Sequence, residues 1–295
     1  MSTAIFTNEV YADELLSVTL RFGSHASDNV FFVARVFMAI NKAKMELSDL
    51  YRKLPQILPS SLSPAIALWP NPTTDPPESI PKLEFFAKVD RATGTPLLRI
   101  DEENERHAMY LARKQTKTLT QEVFVKFSTQ YHEDAHRLLA EQNPPLAPAL
   151  HFCARVVGGM YMVIMDYIPQ SMGCSVDLYS SGPVLPQDLP QVVERDVSKA
   201  LSLLHAKNWV FGDLREPNML YLPGSHGEGR LLLIDFDAVG VDGEARYSAC
   251  LNPAARFCAS VQRGQIMKKG HDFENLEEVL GRLTKAMDDT ALTEP

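Results

Sequence analysis

The residues best suited to chemistry fall in four short stretches. Lys126 sits in the apolar run V-F-V-K-F, where an ammonium without a counter-charge would be costly. Asp213 and Asn218 lie five positions apart in F-G-D-L-R-E-P-N, after an apolar segment that ends in Leu-His. Asp235 and Asp237 close the run L-L-L-I-D-F-D, and Asp272 follows in G-H-D-F-E-N-L. Phosphoryl transfer asks for little more than such groups in the right places. A lysine neutralises phosphate oxygens, two oxygen ligands hold magnesium, and an aspartate takes the hydrogen of the attacking hydroxyl. Taken singly, Asp213 and Asn218 are ordinary turn residues with Asx hydrogen bonds. It is the set, in this order, that points to phosphate chemistry. Asp237 reads as a capping or turn residue.

Two other patterns compete. His132–His136 spells H-E-D-A-H, a match to H-E-x-x-H, in which two histidines on one helical face bind zinc and the glutamate acts as base. Asp134 places a charge inside that motif and no third ligand follows nearby, so a solvent-facing helix turn with one residue turned inward is the simpler reading. The glycines at 224, 227 and 229 fall between two strand-like runs with no helix after them, which describes a hairpin and not a phosphate cradle.

The elements that must position these groups alternate clearly. Apolar residues near the 3.6 period (Val33, Phe37, Ile40, Leu47, Leu50, Leu54) predict a helix over 27–54, ended by Pro55. Eight prolines from Pro55 to Pro81, both included, then predict an extended connector. Strands are expected over 83–89, 97–100, 108–112 and 122–127, a helix over 132–141, and a hairpin from 151–157 and 161–168 around Gly158-Gly159. Residues 169–187 look irregular, an amphipathic helix runs through Val193, Val197, Leu201 and Leu204, and a last helix spans about 272–287. Strands first and helices later describe an α+β chain of two unequal lobes. The expected divisions are 1–81 (helical extension and Pro-rich connector), 82–168 (β-rich lobe) and 169–295 (mainly helical lobe).

Composition narrows the function classes. The chain has 295 residues, 45% hydrophobic and 22% charged, enough to bury a sizeable core. A net charge of −8 argues against nucleic-acid binding. The four cysteines form no C-x-x-C pair, as expected of free thiols in the cytoplasm, and no segment suggests a signal peptide or a membrane span.

In their order and spacing the motifs resemble those of the protein-kinase fold, over about residues 83 to 285. In detail F-G-D-L-R-x-P-N and I-D-F-D are similar to the kinase-like proteins of mushroom-forming fungi, with a likeness to choline and aminoglycoside kinases. The resemblance implies ATP and Mg as cofactors and a hydroxyl substrate on a protein Ser/Thr or a small molecule. It implies Lys126 on the phosphates, Met165 as gatekeeper, and the backbone of Asp166 to Ile168 against the adenine. It implies Asp213 as catalytic base, Asn218 and Asp235 as magnesium ligands, and Asp272 as anchor of the catalytic loop. Either Glu133 or His136 is expected to face Lys126. There is no G-x-G-x-x-G between the first strands, where Arg91–Thr95 offers one glycine, so a nucleotide-binding scaffold without activity is an alternative. Phe211 and Gly212 stand where kinases carry His-Arg; the phenylalanine is expected to pack beneath the site, and Gly212 has no side chain with which to grip a phosphorylated residue.

Overall fold

The computed structural model describes residues 2–6, 9–13, 27–53, 69–74, 80–89, 96, 108–115, 120–156, 158–179, 186–224, 229–252 and 255–291. The expected strand over 97–100, the single-glycine stretch 91–95 and most of the Pro-rich connector lie outside them. The chain divides into two compact units, Met1–Trp69 and Pro70–Pro295. The first holds an antiparallel hairpin, β1 (Ser2–Phe6) and β2 (Glu9–Asp13), and the long helix α1 (Ser27–Lys53) at the place the apolar period predicts. The second unit begins about a dozen residues earlier than the 82 boundary, and Thr74 bridges to Val156 within it.

This second unit is α+β. Five antiparallel strands, β3 (Leu83–Lys88), β4 (Met109–Gln115), β5 (Thr120–Ser128), β6 (Leu150–Arg155) and β7 (Tyr161–Asp166), form one sheet in the order β3-β4-β5-β7-β6. Helix α2 (Glu133–Ala140) joins β5 to β6. On β5, Val123 and Val125 point into the apolar layer on one face, with Ala112, Met162 and Ile164. The alternation of a strand then sends Phe124, Lys126 and Ser128 to the other face.

The helical half follows. The stretch expected to be irregular contains a two-residue strand, β8 (Cys174–Ser175), and a single helical turn, α3 (Val176–Tyr179). Helix α4 (Leu189–Ala206) buries Leu189, Val193, Val197, Leu201 and Leu204, the stripe that its sequence announces. Strand β9 (Trp209–Val210) leads into the Asp213 loop, and β10 (Met219–Leu222) pairs with β11 (Arg230–Leu233). The segment after Asp235 forms β12 (Gly240–Val241), which pairs with β9, and α5 (Lys269–Ala291) packs against α4. The main core joins both halves: Ala135 and Leu139 of α2, Met165 of β7, Leu201 of α4, Phe211, Phe236 and Val279 of α5 belong to one apolar cluster. No helix among the described residues is long and apolar enough to cross a membrane.

Candidate active site

Local pairing brings the acidic residues together. The hairpin register sets Met219 opposite Leu233, and one step further the Ile234 N–H donates to the Asn218 carbonyl at 3.0 Å. Asn218 and Asp235 therefore leave the hairpin side by side. Asn218 closes a 3-10 turn (Glu216–Asn218), and its amide donates to the backbone carbonyl and to Oδ2 of Asp213, both at 2.8 Å. Those two bonds orient the amide and leave its oxygen as an acceptor. Asp213 is also gripped by Arg215, Nε to Oδ1 at 2.6 Å and the second guanidinium nitrogen to Oδ2 at 3.2 Å. Burial lowers the Arg215 pKa, but its bonds to Asp213 outweigh that and hold it above its usual value.

Asp235 has φ +69°, a left-handed conformation that costs a non-glycine residue about 1–3 kcal/mol and collects at functional sites. It is followed by a second 3-10 turn, Phe236–Ala238. Phe236 is fully buried, stacked on His136 at 4.6 Å and edge-on to Phe211 at 5.7 Å. Phe211 thus packs beneath the acidic turn, as bulk alone would predict. The Lys126 ammonium meets Asp235 Oδ1 at 2.6 Å and Asp237 Oδ2 at 2.8 Å. Burial lowers the lysine's pKa, yet the two carboxylates overcome this and hold it above the ordinary value. Asp237 moves the other way for a carboxylate under an ammonium. Burial and the Asp235 charge push it up to about 6, against the opposing pull of Lys126 and Ser128. Two carboxylates thus share one cation in a partly buried cluster.

Two expectations require correction. Neither Glu133 nor His136 faces Lys126. Glu133 is bonded to Arg137 one turn along α2, at 2.7 Å. His136 is buried with both ring nitrogens taken, Nδ1 by the Tyr131 hydroxyl at 2.6 Å and Nε2 by the Pro148 carbonyl at 2.7 Å. A carbonyl only accepts, so Nε2 carries the proton and the tyrosine donates to Nδ1. This also answers H-E-D-A-H. His136 has no lone pair left for zinc, and His132 caps α2, its Nδ1 accepting the Ala135 N–H at 3.2 Å. Finally, Asp237 is no mere turn residue: Ser128 and Lys126 both donate to its Oδ2, while its Oδ1 is buried without a partner. The signal for Ser128 was strand alternation two residues past Lys126. The signal for Asp237 was the second acid of D-F-D.

Lys126, Arg215, Asn218 and Asp235 open on one cleft of about 190 Å³, whose lining does not include Asp213 or Asp237. Val89, Met109, Phe124 and Met165 line its apolar side, the backbone stretch Asp166–Ile168 its rim, and Lys126, Arg215, Asn218 and Asp235 its polar end. The Asp166 side chain is held by His151 at 2.6 Å and Gln121 at 2.7 Å, and the His151 bond keeps its pKa below the usual carboxylate range. Its N–H donates to the Ala149 carbonyl at 3.0 Å. An open groove of about 500 Å³ on the helical half, edged by Cys258, Glu274 and Arg282, contains none of the candidate residues.

Asp272 lies at the start of α5, fully buried. It accepts the N–H groups of Phe211 at 2.8 Å and Gly212 at 3.0 Å, and His205 Nε2 at 2.8 Å. Gly212 has φ +79°, and an added Cβ would lie 2.2 Å from Met267 Cε and 2.8 Å from the Ala238 carbonyl, so only glycine fits. In the segment beyond, Tyr247 is buried with its hydroxyl 3.1 Å from His271 Nδ1, and Leu251 and Phe257 pack around it; Pro253 lies outside the described residues.

No protein-family model and no curated protein sequence matches the chain. Among solved structures, the kinase PK-1 of Cydia pomonella granulovirus is similar at 19% identity over 68% of this chain and 68% of that one, with a TM-score of 0.48.

Proposed function

We propose that the protein is an ATP- and magnesium-dependent phosphotransferase, with a protein Ser or Thr hydroxyl as acceptor. The observation that carries this reading is the convergence of Lys126, Asn218 and Asp235 on one apolar-walled cleft. The donor set suits magnesium: a carboxylate and an amide oxygen are hard ligands. Asn218 and Asp235 would hold the ion, which supplies charge against the phosphate oxygens when bound.

The chain's own residues do the rest. Met165 and the 166–168 backbone receive the base, and Lys126 meets the phosphates. Asp213, steadied by Arg215 and Asn218, accepts the acceptor's proton as its oxygen attacks the γ-phosphorus and the bond to the bridging oxygen breaks. A second reading, a nucleotide-binding scaffold, is favoured by the 2.6 Å contact that closes Lys126 onto Asp235. ATP turnover separates the two. Asp213→Asn is expected to lower kcat by about 10²–10⁴-fold with ATP affinity within twofold of the parent. Equal turnover in parent and variant removes Asp213 from this role. A phosphopeptide library set against a panel of hydroxylated metabolites decides the acceptor class.

A further inference from the structure

The geometry points to Asp237, backed by Ser128, as the positioning residue that holds Lys126 over the phosphates, with no counter-charge supplied by α2. The inference rests on the phosphotransferase reading and goes further in saying what sets the lysine. Strand alternation places Lys126 and Ser128 on one face of β5, and both reach the same oxygen, Asp237 Oδ2, at 2.8 and 2.6 Å. On α2, Glu133 is engaged with Arg137 and His136 with Tyr131 and Pro148, while Asp134 is exposed. Asp235 cannot serve alone, because a carboxylate committed to a divalent cation gives up most of its hold on a neighbouring ammonium. Asp237 is then the anion that remains.

Its placement is fixed by the residue before it. Phe236 is clamped among His136, Phe211 and Tyr131, and its carbonyl accepts the His132 N–H at 3.1 Å. The turn therefore carries Asp235 and Asp237 as one rigid piece, and α2 braces that piece through its backbone and rings. The buried, unpartnered Oδ1 of Asp237 is a cost that folding alone gives no reason to keep. In this design the lysine and the proposed metal ligand are set by the same turn.

The test compares Asp237→Asn, Asp237→Glu, Ser128→Ala and Glu133→Ala by KM for ATP, by kcat, and by ATP affinity in excess chelator. Asp237→Asn is expected to raise KM and the chelator Kd about tenfold, Asp237→Glu to recover part of that, and Ser128→Ala to cost about two- to threefold. Glu133→Ala is expected to stay within twofold. Asp237→Asn is nearly isosteric and relieves a like-charge pair, so its melting temperature should not fall. A lowered melting temperature with unchanged KM would mark a structural role and overturn the proposal. So would a Glu133→Ala loss as large as that of Asp237→Asn. If the parent binds no magnesium-ATP, the phosphotransferase reading fails instead. A crystal structure of the parent then still decides the pairing: Lys126 bonded to Asp237 upholds it, and Lys126 bonded to Glu133 overturns it.

Discussion

Asp272 and Asp237 flank the same stretch of core, one below Gly212 and one beside Phe236, and they are treated in opposite ways. Asp272 is fully buried and receives three donors, two backbone N–H groups and a histidine, each at 3.0 Å or less. Asp237 keeps a side-chain exposure of 27%, crowds two donors onto one oxygen and leaves the other with none. It also shares its lysine with a second carboxylate. The difference separates a fastening from a receptor. A buried acid completed by its own chain stabilises a loop; an acidic pair that shares one lysine stabilises whatever cation arrives.

The largest test of that contrast is Asp272→Ala. It orphans the N–H groups of Phe211 and Gly212 in a dry core, and the expected loss is about 3–5 kcal/mol of unfolding free energy, read by chemical denaturation. A loss below about 1 kcal/mol would place Asp272 with the receptors. His136 extends the test to a buried base whose partners are complete. Burial holds its pKa at about 4 against the ordinary 6.5, so between those values the unfolded chain binds a proton that the folded protein refuses. The stability it allows is present above pH 6.5 and drains away as pH falls toward 4, by up to about 3 kcal/mol. Denaturation at several pH values should show that slope in the parent and a flatter one in His136→Gln; equal slopes would assign the acid loss to other groups. The smallest effect belongs to the receptor side. Asp235→Asn should weaken ATP binding about tenfold with magnesium present, roughly 1.4 kcal/mol, and not in excess chelator, while leaving stability near the parent's. An equal loss under both conditions would make Asp235 a fastening too.

Much of this was legible one residue at a time. Helices α1, α4 and α5 and strands β3, β5, β6 and β7 lie close to where the sequence places them; for α4 the cause is burial of one face, which imposes the period locally, whereas Phe37, Ile40 and Leu47 of α1 are exposed. Lys126, Asn218 and Asp235 announced themselves by type and order, and the cleft contains all three. Phe211 was readable as packing bulk because an apolar ring in a core is judged by volume.

What the chain alone could not decide is which charges meet. Glu133 and His136 lie about one turn apart on α2, so sequence alone allows either to meet the lysine; in the fold Arg137 and Pro148 claim them. Asp237 looked like a turn residue because its meaning depends on Lys126, 111 positions earlier and joined to it through space at 2.8 Å. Local propensity acts within a few residues, and so it wrote the elements. Charge pairing acts through space within a few ångströms, where a rotation of one helix turn changes the partner. The identity of the groups was therefore settled by the sequence, and their pairing by the tertiary structure.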